Sequence, residues 1–138
     1  LGIAQLSRIE EIKAKRKKVA QAYQEILADD DRLIVPSEPE GCDISWFVFV
    51  VRLTEDFTQK QRDRILKAMK DRGIQVSNYF PPVHLQPFMV EQFGYKTGDF
   101  PITESISQRT IALPFYNNLT EDDIALVCKT LTQVLDSA

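Results

Sequence analysis

Two adjacent prolines, Pro81 and Pro82, place the hardest local constraint on this chain. Each fixes φ and removes a backbone N–H, so the segment through them can continue neither as a helix nor as a central strand. The chain must pass there as an extended, irregular connection. It runs from Gly73-Ile74-Gln75-Val76-Ser77-Asn78-Tyr79-Phe80 through the prolines to Val83-His84-Leu85-Gln86-Pro87-Phe88, and it carries the sole histidine of the sequence. A stiff backbone at the end of a strand can hold a phenol, Tyr79, and an imidazole, His84, in fixed positions for a ligand. From chemistry alone, a lone histidine without a partner in sequence favours the plainer role of a hydrogen-bonded structural residue, with Tyr79 filling the core.

At 138 residues the chain is one domain, long enough to bury a core and short for an enzyme with its own cofactor fold. A net charge of −3 and a pI near 5.2 give no electrostatic reason to expect nucleic acid or an anionic membrane as partner. No apolar run approaches the ~20 residues of a spanning helix, and no signal-peptide core is present, so a cytoplasmic protein is expected. Cys42 and Cys128 fit no CxxC or Cys/His spacing, which predicts reduced thiols and no metal site. The opening Leu1-Gly2-Ile3 has neither a methionine nor a capping residue ahead of a helical pattern, and preceding chain is therefore expected.

Leu6, Ile9, Lys13, Arg16, Ala20, Tyr23 and Leu27 recur at three and four residues, which predicts a long helix within 1–28 whose apolar stripe is interrupted midway. Lys13, Lys15, Arg16, Lys17 and Lys18 point in most directions around it, as on a solvated helix and unlike a one-sided nucleic-acid face. Asp29-Asp30-Asp31 marks a turn, and Pro36, Pro39 and Gly41 a loop. The apolar run Trp46-Phe47-Val48-Phe49-Val50-Val51 predicts a central strand covered on both faces. Thr58 with Gln61 reads as a capping box for a second helix with Ile65, Leu66 and Met69 inward, stopped at Gly73. Gln75 to Phe80 is expected as a strand, Gln86 to Phe93 as a short helix, and Asp99 with Pro101 as the opening of another reaching Arg109. Ile111-Ala112-Leu113 is a short strand. Thr120 and Asp123 cap a last helix whose stripe is Ile124, Val127, Cys128, Leu131, Val134 and Leu135. Together these predict an α+β domain over 45–135, a small mixed or antiparallel sheet covered by helices.

Five pieces then stand in a telling order: Gly2-Ile3-Ala4-Gln5-Leu6 opening a helix, Gly73-Ile74, the stretch Tyr79 to Pro87, Phe100-Pro101-Ile102-Thr103-Glu104, and Leu113-Pro114. This pattern resembles the C-terminal part of the DegT/DnrJ/EryC1/StrS family, pyridoxal-phosphate sugar aminotransferases that act on nucleotide-linked keto-sugars. The resemblance covers nearly the whole chain. It implies the small C-terminal domain of a fold-type I enzyme, which closes over an active site carried by a larger domain, within a homodimer. It also implies pyridoxal phosphate bound mainly by that N-terminal domain, on a lysine upstream of this chain, and an amino donor such as glutamate. No catalytic residue is then expected in this chain, and no activity from it alone.

On matching positions, the resemblance assigns His84, with Tyr79 and Gln86, to the sugar-nucleotide pocket, which reverses the plainer reading of His84. Ser77 stands where many relatives have an arginine, so one charge-assisted contact to a nucleotide phosphate is lost. Glu104 matches an acidic position of the family and is accounted for by the helix dipole. Two other readings stay open, a sugar dehydratase of the same family and cofactor, with histidine in place of the upstream lysine, and a non-catalytic binding or regulatory module.

Overall fold

The stripe read as one first helix is carried by two, α1 (Gly2–Leu6) and α2 (Ile9–Leu27). The computed structural model describes residues 2–137, so Leu1, where the 1–28 pattern begins, lies outside the described residues. At the break, Ser7 Oγ donates to Ala4 O at 3.0 Å, offering the backbone an alternative to the helical ladder. Ile3 of α1 is 87% exposed, whereas Val19, Ala20, Tyr23 and Leu27 of α2 are buried. Between them the basic residues pair outward in several directions: Lys13 with Asp43, Lys15 with Glu11, Lys17 with Glu38 and Lys18 with Glu121. Such exposed pairs contribute about 0–1 kcal/mol each.

Three antiparallel strands form the sheet in the order β1 (Leu33–Ile34), β2 (Phe49–Leu53), β3 (Thr110–Leu113). The central position expected for the apolar run is correct, but β2 starts three residues late. Trp46 is buried from a loop, with its ring 5.8 Å from that of Phe49, and Phe47 is exposed. Burial along β2 alternates: Phe49, Val51 and Leu53 are fully buried, while Val50 and Arg52 lie on a half-exposed face. The expectation of cover on both faces is therefore corrected to full cover on one.

The predicted strand Gln75–Phe80 is also corrected, because only Ser77 bridges to Ala112, with N–H···O distances of 3.3 and 2.8 Å. Two prolines immediately downstream supply no ladder donors, so the pairing cannot extend.

Helices α3 (Gln59–Asp71) and α6 (Glu121–Leu135) pack with α2 around the buried face of β2. Both open on complete capping boxes, Thr58 with Gln61 and Thr120 with Asp123. Past the end of α3, Gly73 takes φ of 81°, a left-handed turn that favours glycine. Tyr23 stacks on Phe49 at 4.9 Å, and its hydroxyl donates to Pro114 O at 2.9 Å. A phenol at the centre of the core is thereby satisfied. Among the described residues no helix is long and apolar enough to cross a membrane, and Cys42 and Cys128 are unpaired.

Candidate functional site

From Gly73 the chain skirts the β3 edge, turns through Pro81-Pro82 and enters a 3-10 turn at Val83–Leu85. Helix α4 (Pro87–Phe93) follows, with Pro87 in its first turn, where a missing N–H costs nothing. A loop then leads to α5 (Pro101–Ser107) and β3. The segment thus folds back on itself before rejoining the sheet.

His84 is only 7% exposed, and its Nε2 lies 2.9 Å from Glu104 Oε1. Glu104, 8% exposed on α5, also accepts the Gly98 N–H on both oxygens, at 2.9 and 3.0 Å, and the Phe100 N–H at 3.3 Å. Burial pushes its carboxyl up, but the Gly98 amide, the His84 side chain and the Phe100 amide together hold it below its ordinary value near 4.5. Glu104 is ionised at neutral pH. The imidazole packs against Phe100, with ring centroids 4.7 Å apart, and meets Tyr95 edge-on at 6.4 Å. Glu104 was therefore under-read by a helix-dipole argument, since it joins the turn at 83–85, the 94–100 loop and α5. No local motif could have paired it with a histidine twenty positions earlier.

Tyr79 occupies a different environment. Half-buried, with its ring 3.9 Å from that of Phe80, it lines a cleft of about 580 Å³ together with Phe47, Lys70, Ser77, Ala112 and Phe115. Lys70 is the only charged residue among the described ones lining it. A second cleft, about 270 Å³, is lined by Arg62, Asn78, Pro81, Pro82, Leu85 and Glu104. Arg62 is 1% exposed; its Nη1 donates to Ser107 O and Thr110 O, both at 3.1 Å, and its Nε to Asp63. Gln86 is exposed at the entry to α4 and makes no capping bond. Tyr79, His84 and Gln86, singled out from sequence, thus occupy a cleft wall, a buried hydrogen-bonded clamp and an exposed helix entry.

A Schiff base to pyridoxal phosphate needs an enclosed amine. No described lysine is buried, and Lys13, Lys15, Lys17, Lys18 and Lys67 sit in surface ion pairs. The described lysines therefore do not fit covalent attachment of that cofactor.

The sequence pattern of the DegT/DnrJ/EryC1/StrS aminotransferase family matches residues 1–132. The spore coat polysaccharide biosynthesis protein SpsC of Bacillus subtilis is 31% identical over 139 aligned positions, covering 100% of this chain and 36% of its own length. A crystal structure of DesI in the presence of its TDP-sugar product is 26% identical, with a TM-score of 0.81, over 96% of this chain and 33% of that one. Spr1654 of Streptococcus pneumoniae, a sugar aminotransferase by its description, in its PLP form shares the fold at a TM-score of 0.90 and 20% identity, over 99% of this chain and 34% of that one. The chain spans about a third of the length of the curated relatives it matches.

Proposed function

This chain belongs to the DegT/DnrJ/EryC1/StrS aminotransferase family, and on that premise we propose that it is the small C-terminal domain of an aminotransferase acting on a nucleotide-linked keto-sugar. In this reading a larger N-terminal domain holds pyridoxal phosphate on its lysine, and the present chain closes over the site within a cytoplasmic homodimer. The cofactor supplies the amine-transfer chemistry, from a donor such as glutamate. This chain's residues bind and orient the sugar nucleotide. Support for the substrate class comes from the TDP-sugar product named with DesI and from the polysaccharide role named for SpsC.

The observation that carries the reading is the match across residues 1–132, which spans the whole 79–87 segment. His84, Tyr79 and Gln86 line the sugar-nucleotide pocket. Ser77 brings no charge to that pocket, and Lys70, in the same cleft as Tyr79, is the cation available to a phosphate.

The test uses the full-length enzyme that contains this chain. His84→Ala should slow the half-reaction with the keto-sugar while leaving the half-reaction with the amino donor intact, because donor and cofactor are held by the other domain. The loss corresponds to about 0.5–1.5 kcal/mol for a bond to a neutral group and about 1.5–3 for a charged one. Single-turnover absorbance of the cofactor separates the two half-reactions. Equal loss in both would remove His84 from the substrate site.

A further inference from the structure

We propose that Glu104 is a positioning residue that keeps the proton of His84 on Nε2, leaving Nδ1 as an acceptor, so that His84 recognises a hydroxyl or N–H of its ligand and not a phosphate oxygen. The ligand half of this inference rests on the functional reading above. The tautomer half rests on geometry alone.

An ionised carboxylate only accepts hydrogen bonds. Glu104 has the Gly98 N–H on both oxygens, the Phe100 N–H on Oε1, and His84 Nε2 at 2.9 Å on that same Oε1. A shared proton must therefore sit on Nε2. In a neutral imidazole the other nitrogen is then unprotonated and accepts. Around the ring, α5 presents Glu104, and the 94–100 loop presents the rings of Tyr95 and Phe100.

The second observation concerns Nδ1 itself. No hydrogen bond among the described residues uses it. Nor is it one of the buried polar atoms left without a partner, which are Arg52 Nε and Asn78 Oδ1. Among the described residues, then, Nδ1 is neither committed to a partner nor one of the sealed, unpartnered atoms. A phosphate oxygen at neutral pH has no proton to give to such an acceptor, whereas sugar hydroxyls and base N–H groups do. Contact with a diphosphate falls instead to a cation such as Lys70.

Because His84 is the sole histidine of this chain, labelling only this segment within the full-length enzyme makes its two ring nitrogens the only imidazole signals in a long-range ¹H–¹⁵N correlation spectrum. At neutral pH the expected spectrum shows Nδ1 unprotonated and Nε2 protonated, with this tautomer favoured by about tenfold or more, the scale of a hydrogen bond to a charged group. A protonated Nδ1, in the other tautomer or as imidazolium, would overturn the proposal. In a folded Glu104→Gln variant the preference should drop by about tenfold; an unchanged ratio would show that Glu104 does not set it. That spectrum of the unaltered protein decides the tautomer even if the variant does not fold.

In the full-length enzyme, Glu104→Gln should lower keto-sugar kcat/KM by up to about tenfold and spare the amino-donor half-reaction, whereas a merely structural role would lower both. His84→Ala provides the control. If it leaves the keto-sugar half-reaction untouched, the site reading and the ligand half fall together, while the tautomer result stands or falls by its own spectrum.

Discussion

The sheet with its three long helices buries Phe49, Val51, Leu53, Ile65, Met69 and Leu131 completely, whereas the stretch from 83 to 107 buries only His84 and Glu104. In that stretch Val83, Phe88, Phe93, Phe100 and Ile102 are exposed, Ile102 by 76%. The body is held by apolar area removed from water, a term that grows with every side chain added. The connection is held by a few directed bonds converging on one carboxylate. Its order can be lost without loss of the body, since regions with little buried apolar surface open locally at low cost.

The sharpest way to break the contrast is through the body. Phe49→Ala removes a ring stacked on Tyr23 and packed near Trp46 and Phe115, and should lower global stability by about 3–5 kcal/mol in denaturant unfolding. Arg62→Met tests the seam between the regions. Ser107 O keeps its bond from Thr110 Oγ1, but Thr110 O loses the guanidinium, at a cost of about 1–3 kcal/mol in the same assay. Thr120→Ala deletes a cap with both halves in place and should cost about 1 kcal/mol, read as a lower denaturation midpoint.

The smallest global effect belongs to the clamp. Glu104 titrates below its ordinary value near 4.5 when folded, so its contribution is complete above that value and is lost as pH falls through the lower one. Acidification should therefore release hydrogen-exchange protection at the Gly98 and Phe100 amides before the β2 amides lose theirs. Simultaneous release would erase the distinction between the two regions.

What was legible in sequence follows the range of the interaction. Both capping boxes and the Gly73 stop act within four residues, and each stands where the pattern places it. Helices α4 and α5 and strand β3 were marked by Pro87, Pro101, and the Ile111-Ala112-Leu113 run. β1 is two residues long, too short to show a period. Hydrophobicity alone could not separate β2 from Trp46, which enters the same core from a loop, nor tell an edge bridge at Ser77 from a strand. The proline segment drew attention to His84 and the family pattern changed the role read for it, but its tie to Glu104 is a contact across twenty positions that only the folded chain reveals.

The packing of α2 against α6 has a consequence for how the molecule is made. Arg16 Nε reaches Asn117 Oδ1 across 101 positions, and the Tyr23 hydroxyl reaches Pro114 O across 91. A ribosome delivers α2 well before α6, the helix it packs against. Contacts so distant in sequence form slowly and leave their first half waiting. The waiting stripe is flanked in sequence by Lys13, Lys15, Arg16, Lys17 and Lys18, and like charge of this kind beside an apolar surface disfavours association between chains.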